Sequence, residues 1–125
     1  MQDTEAQQLL LEILDQAEQK KFVEFRLITS WSEFMFYRRS RASTRLVILA
    51  LKQAAKEIFK TYLKQVKSGI SDVNNLIAHA QLRDTIAFYE KDLETLQKML
   101  DEYDTWLGQG HFWYSILGGE RDIWN

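Results

Sequence analysis

Eight apolar residues that recur at alternating intervals of four and three constrain the fold of this chain more than any other feature. Their separations are 4, 3, 4, 3, 4, 3 and 4 residues. The residues are Leu82, Ile86, Tyr89, Leu93, Leu96, Leu100, Tyr103 and Leu107. This is the register in which one stripe of a helix packs into a partner helix. It therefore predicts a long helix, and we expect these side chains to form the seam of a hairpin or of an oligomer.

A second long apolar stripe precedes this one, so we predict two long helices, over residues 31–67 and 72–107. Ser30-Trp31-Ser32-Glu33 has the form of a capping box at the start of the first long helix. Gly69 is suited to a C-cap just after its end. Because the turn 68–71 is short, the two helices should be antiparallel neighbours. Each would extend about 54 Å at 1.5 Å per residue.

Three other segments complete the prediction. Thr4-Glu5-Ala6-Gln7 resembles a capping box, and helical spacing follows it, which predicts a shorter N-terminal helix over 4–21. Residues 22–28 alternate in polarity as a strand does, but no second strand is evident that could pair with it. We expect either a continuation of the helix to residue 29 or an extended connector. In 108–125, glycines interrupt aromatic residues, which predicts an irregular or short helical tail pinned by its aromatics.

These elements define an all-α fold in a single domain of 125 residues. It consists of an antiparallel hairpin of two long helices, a shorter N-terminal helix and an aromatic C-terminal tail, a three- to four-helix bundle with coiled-coil-like packing. The chain contains no proline, the strongest helix breaker, which favours long helices. The N-terminal helix is too short to cover the whole hairpin. Either the tail or a second subunit covers the rest, and for this reason we expect a homo-oligomer.

The composition excludes several classes of protein. The chain has no cysteine, so it has neither disulfides nor thiolate metal ligands. Its longest apolar run, Leu46–Leu51, is far shorter than the roughly 20 residues that cross a bilayer. The N-terminus lacks the pattern of a signal peptide. We therefore expect a cytoplasmic protein that does not associate with membranes.

The charge is distributed unevenly, with a basic middle between acidic flanks. Residues 20–68 carry twelve Lys or Arg and three Glu, whereas residues 72–125 carry ten acids and four bases. The basic segment includes a cluster of four arginines: Arg38, Arg39, Arg41 and Arg45. Arginine side chains bind phosphate and carboxylate groups well, so the cluster is a candidate site for an anionic partner or a nucleic acid. The interpretation we favour is an internal or inter-subunit charge match with acids of the N-terminal helix and of the second long helix, because an antiparallel hairpin brings Asp92–Asp104 back past the cluster.

Aromatic residues provide a second group of candidates, because aromatics with polar tips are common interface anchors. The residues are Trp31, His111, Phe112, Trp113, Tyr114 and Trp124. The alternative is that they cap the apolar end of the bundle, which we favour for Phe112 and Trp113. This alternative is weaker for Trp124, because a terminal residue has little chain to hold it in place.

The sequence gives little support for catalysis. His79 and His111 lie on separate elements, and neither belongs to a helical metal-binding spacing. No phosphate-binding loop or serine elbow is present, so we predict no catalytic residue, metal or cofactor. The sequence favours a non-enzymatic protein–protein interaction module, an adaptor, inhibitor or assembly subunit that self-associates. The alternative is a nucleic-acid-associated helical protein that uses the cluster Arg38–Arg45.

Overall fold

The computed structural model of the chain describes residues 8, 11, 12, 15, 19, 21–69, 73–118 and 121. These residues are mostly helical and include no strand, so the fold is all-α. The five described residues before residue 20 are helical, and the rest of the predicted N-terminal helix lies outside the described residues. None of the described helices is both long enough and apolar enough to cross a membrane. The remaining elements are α1 (Trp31–Lys67), α2 (Val73–Trp106), a π-type turn (Leu107–His111) and α3 (Phe112–Ile116).

The residues that the sequence predicts as caps of α1 do cap its two ends. The Glu33 N–H donates to Oγ of Ser30 (3.3 Å), as a capping box requires. The Glu33 carboxylate accepts hydrogen bonds from the backbone N–H (2.8 Å) and hydroxyl (2.7 Å) of Thr29. In a standard capping box the donor would be the backbone N–H of Ser30, one residue later. At the other end, Gly69 has φ = 77° and the Ser68 N–H donates to the Lys64 carbonyl (3.1 Å). Only glycine adopts this left-handed conformation readily, which explains why the helix ends there.

The chain divides into two compact units, and α1 and α2 contribute to both. The first unit comprises residues 1–22 and 47–90, and the second comprises residues 23–46 and 91–125. Within each unit the segment of α1 packs against an antiparallel segment of α2.

In the first unit, three contacts fix the antiparallel register. They are a Gln65–Asn75 hydrogen bond (2.6 Å), a Phe59–His79 ring contact (5.5 Å) and a Lys52–Glu90 ion pair (3.5 Å). As the residue number falls along α1 from Gln65 to Lys52, the number of its partner on α2 rises from Asn75 to Glu90, as expected for an antiparallel hairpin. The buried apolar residues of this unit are Ile48, Leu51, Leu82 and Tyr89.

The second unit has an aromatic-rich core. Phe34 of α1 stacks on Tyr103 of α2, with ring centroids 4.9 Å apart. Ile28, which precedes α1, is fully buried in the same cluster. The other buried members are Met99, Leu100, Tyr103 and Trp106, and Val23, Trp31, Phe34, Tyr37 and Leu107 pack against them.

The heptad residues of α2 lie inside the single chain. Of the eight, Leu82, Tyr89, Leu96, Leu100 and Tyr103 are buried, and Ile86, Leu93 and Leu107 are partly buried. The seam is therefore occupied within one chain, although knobs-into-holes packing along it stays a prediction.

Residues 21–29 form neither helix nor strand, so the predicted continuation of the N-terminal helix to residue 29 is wrong. This connector has backbone partners that the alternating pattern does not reveal. The Val23 N–H donates to Oδ1 of Asp92 (2.9 Å), and the Thr29 carbonyl accepts from the Arg121 N–H (2.8 Å). A side chain of α2 and the tail thus satisfy polar groups that a partner strand would otherwise have to pair.

Candidate interaction surfaces

The most exposed apolar surface of the second unit is the segment 112–117, which we name the aromatic turn. Trp113 is 70% exposed and Leu117 is 82% exposed. They lie four residues apart, and the Leu117 N–H donates to the Trp113 carbonyl (3.0 Å), so their side chains share one face of the turn. The other large apolar residues exposed on this segment are Phe112, Tyr114 and Ile116.

Glycines on either side allow this segment to fold into a separate turn. Gly110 has φ = 96° and ψ = 17°, which interrupts the helical path just before α3. Gly118 has φ = 85° and ends the turn. Between them, Ser115 is almost fully buried and marks the inward side. A small inward residue lets the turn approach the unit closely while its bulky neighbours face outward.

Trp106 forms the base on which the turn rests. His111 stacks on its ring, with centroids 4.6 Å apart and planes 5° apart, and Tyr114 meets the ring edge at 6.4 Å. The Arg121 guanidinium lies 5.4 Å from the centroid of the same ring. Tyr103 packs on Trp106 from within the core, at 5.6 Å. Burial raises the pKa of Tyr103, the positive charge of Arg121 offsets part of this effect, and Asp104 adds to it.

The predicted interface residues therefore divide into two groups. Trp31 and His111 are half-buried and support the surface, Trp31 through an edge contact with Phe112 at 6.3 Å. Phe112, Trp113 and Tyr114 are exposed. The contact of Phe112 with Trp31 fits the favoured expectation of a capping role, whereas the 70% exposure of Trp113 does not support it. Trp124 lies outside the described residues. Leu117 and Ile116 were not predicted as interface residues, and the signal that could have identified them is their position between flanking glycines.

The arginine cluster is largely solvent-facing. Arg38, Arg39 and Arg45 are exposed, and none of them forms an ion pair with a described residue. Arg41 is half-buried, and its Nη1 donates to Oε1 of Gln97 (3.1 Å) rather than to a carboxylate.

Several of the α2 acids that were expected to match the cluster contact other residues. Glu94 pairs with Lys98 (3.3 Å), and Glu102 pairs with Arg121 (3.7 Å). Oδ1 of Asp101 accepts a hydrogen bond from Gln97 (2.9 Å). Direct pairing of the arginines with these acids is thus not found within the described part of the chain.

A second apolar surface lies in the first unit, near the turn of the hairpin, and we name it the tip groove. It is lined by Phe59, Leu63 and Val66 of α1 and by Leu76 and His79 of α2. The four apolar residues are between 43% and 49% exposed. The sequence indicated this surface indirectly, because Phe59, Leu63 and Val66 make the apolar stripe of α1 wider than one partner helix needs.

No group of three His, Asp or Glu side chains within the described residues is arranged to hold a metal ion. The histidines serve other contacts, since His79 packs on Phe59 and His111 on Trp106. The chain matches no protein-family model, and no curated protein and no solved structure is significantly similar to it.

Proposed function

We propose that this chain is a non-enzymatic helical module that binds a partner protein through its aromatic turn, as an adaptor, inhibitor or assembly subunit. The observation that carries the proposal is the exposure of Trp113 and Leu117, 70% and 82%, side by side on a folded turn. Contiguous exposed apolar side chains are unusual on monomeric proteins and are typical of binding surfaces. A cytoplasmic location is part of this proposal and rests on the cysteine-free sequence.

The residues packed beneath the aromatic turn support the proposal that its exposed side chains form a binding surface. Trp106 is buried and in contact with His111, Tyr114 and Arg121, so the turn has a packed base. A turn that is already ordered loses less conformational entropy on binding, which increases affinity for a given contact area. Tryptophan is also the residue type most enriched among energetically dominant interface contacts.

The test is affinity capture from the native host with the wild-type chain and a Trp113→Ala/Leu117→Ala variant. We expect at least one protein to be captured by the wild type and lost with the variant. Leu46→Ala is the matched control, because Leu46 is 68% exposed in the same unit. It lies about 22 Å along α1 from Trp31, the α1 residue that contacts the aromatic turn. Partners that bind the double variant as well as the wild type would contradict the proposal.

Self-association is a second part of the proposal. Since five of the eight heptad residues are buried within one chain and three are partly buried, we assign a second copy to another surface, the aromatic turn. Sedimentation at high micromolar concentration should then detect species heavier than 14.8 kDa, and Trp113→Ala should shift them towards the monomer. A clean monomer at that concentration would exclude this part.

The exposure of Arg38, Arg39 and Arg45 favours the alternative, a nucleic-acid-associated protein. Arginines without protein partners can replace the counterions of a phosphate backbone, and binding of this kind weakens steeply with salt. The check is the affinity for generic DNA and RNA at low salt, for the wild type and for Arg38→Ala/Arg39→Ala/Arg45→Ala. If the wild type binds and the variant does not, nucleic-acid binding becomes the preferred function over partner-protein binding. Undetectable binding by the wild type would exclude the nucleic-acid function.

A further inference from the structure

The tip groove runs between two antiparallel helices of the first unit. Phe59, Leu63 and Val66 follow one another at intervals of four and three residues, so they share one face of α1. His79 of α2 contacts Phe59, with ring centroids 5.5 Å apart. The register given by that contact and by Gln65–Asn75 places Leu63 opposite Leu76. The apolar residues of the two helices therefore form one continuous strip, roughly two helical turns long.

The apolar strip is partly covered by neighbouring residues and partly open to solvent. The apolar residues of the groove are at most 49% exposed, whereas Leu49, about 15 Å before Phe59 along the same helix, is 64% exposed. Two helices that lie side by side leave a furrow between their axes, and the side chains of a third helix can pack into it. A helix in a groove is also a common form of peptide recognition.

Basic residues form the α1 margin of the groove and stand at one end of its α2 side. Lys56, Lys60 and Lys67 lie beside the apolar strip on α1, and Arg83 lies one turn beyond His79 on α2. All four are exposed. Lys60 pairs with Glu57 (3.7 Å), but Lys56, Lys67 and Arg83 form no ion pair with any described residue. The groove thus combines an apolar floor with positive charge along its α1 side and at one end of its α2 side.

We infer that the tip groove is a receptor site for an acidic amphipathic helix of a partner protein. The apolar face of such a helix would cover Phe59, Leu63 and Leu76, and its flanking Asp and Glu would lie against the basic margins. A second copy docked groove to groove would bring the lysines of both copies together. The inference goes beyond the proposed function, because it assigns a second surface and the chemistry of its ligand.

The experiment uses the full chain and a labelled synthetic peptide with leucines on one helical face and glutamates along both flanks. A second peptide, with lysine in place of every glutamate, is the control for charge. Fluorescence anisotropy should detect binding of the acidic peptide and not of the basic one. The affinity should fall as salt rises from 0.05 M to 0.5 M, roughly, because the flanking charges become screened.

Variants locate the binding site. Leu63→Asp should weaken binding of the acidic peptide about tenfold or more, because it places a buried negative charge under the helix. The matched control is Leu49→Asp, the same change at an exposed leucine about 15 Å before Phe59 along α1, which should leave the affinity unchanged. Lys56→Glu/Lys67→Glu should lower the affinity for the acidic peptide and raise the affinity for the basic peptide. Circular dichroism checks each fold, and Leu63→Ala replaces Leu63→Asp if the latter unfolds.

Three results would overturn the inference: no binding of the acidic peptide, binding that Leu63→Asp does not change, or binding that Leu49→Asp weakens as much. Leu63-dependent binding to vesicles of phosphatidylserine and phosphatidylcholine, or a Leu63-dependent dimer, would reassign the groove to a membrane or to a second copy and would also overturn it. Trp113→Ala/Leu117→Ala should bind the peptide normally. Failure at the groove and failure at the aromatic turn are therefore distinguishable.

Discussion

Glu33 stabilises the start of α1 through contacts that depend on its negative charge. Burial raises the pKa of this carboxyl group, but the hydrogen bonds from Thr29 and the charge of Arg26 outweigh that effect, so the pKa lies below its ordinary value. A lowered pKa in the folded state means that the stabilisation is present above about pH 4.3 and is lost as the pH falls through the folded value. We predict that Glu33→Gln lowers the free energy of unfolding by about 1–2 kcal/mol at pH 7.

Urea unfolding of both proteins at pH 7 and near pH 3 checks this prediction, and the difference should shrink at the lower pH. Glu24→Gln is the matched control, because Glu24 is an exposed acid of the same connector and should give little change at either pH. An equal loss from Glu33→Gln at both pH values would show that the charge is not the cause.

Tyr103 carries a buried hydroxyl that has no hydrogen-bond partner within the described residues. Phenylalanine would keep the stacking on Phe34 and remove the cost of burying that group. We predict that Tyr103→Phe leaves the free energy of unfolding at pH 7 unchanged or raises it by up to about 1 kcal/mol. Because the pKa of Tyr103 is raised, the wild type should also lose stability above about pH 10, where the unfolded tyrosine ionises, and the variant should lose less. Denaturant unfolding at both pH values checks this, and a clear loss at pH 7 would mean that the hydroxyl is bonded.

At the level of elements, the break between α2 and α3 depends on a single glycine conformation. Gly110 has φ = 96°, whereas Gly108 does not have a positive φ, and an added Cβ would meet no atom within 4 Å at either position. Gly110→Ala should therefore cost about 1–2 kcal/mol from backbone strain alone. Gly108→Ala should be neutral or slightly stabilising, because it restricts the unfolded chain. Thermal unfolding of the two variants checks the contrast, and equal effects would contradict it.

The long helices could be predicted from the sequence because their signals are local. The capping residues Ser30 and Glu33, the glycine at position 69 and the heptad spacing of α2 act within a few residues of the elements that they define. The connector could not be predicted in this way. Its backbone partners are Asp92, 69 residues away from Val23, and the tail residue Arg121, and no local pattern contains that information.

The candidate sites show the same limit. The sequence identified the arginines and the aromatics as residue types suited to binding, but exposure depends on which face of each element the rest of the chain covers. Trp113 and Trp31 are equivalent by residue type, yet one projects into solvent and the other packs against the core of the second unit. The register alone predicted proximity of the arginines to acids, whereas Gln97 and Lys98 provide nearer partners for Asp101 and Glu94.

At the scale of the whole molecule, the position of the heptad seam decides whether folding depends on association. Leu82, Leu96 and Tyr103 are each at most 1% exposed in a single chain, so the seam needs no second copy to be buried. We predict that dilution dissociates any oligomer without loss of helix, because these seam residues are already buried within one chain. Sedimentation and circular dichroism over the same concentration series check this. If mean helicity per residue falls as the heavier species disappears, the seam is formed between chains and folding is coupled to assembly. If helicity stays constant while the mass falls to 14.8 kDa, the protomer is the folding unit and the exposed surfaces remain available for partners.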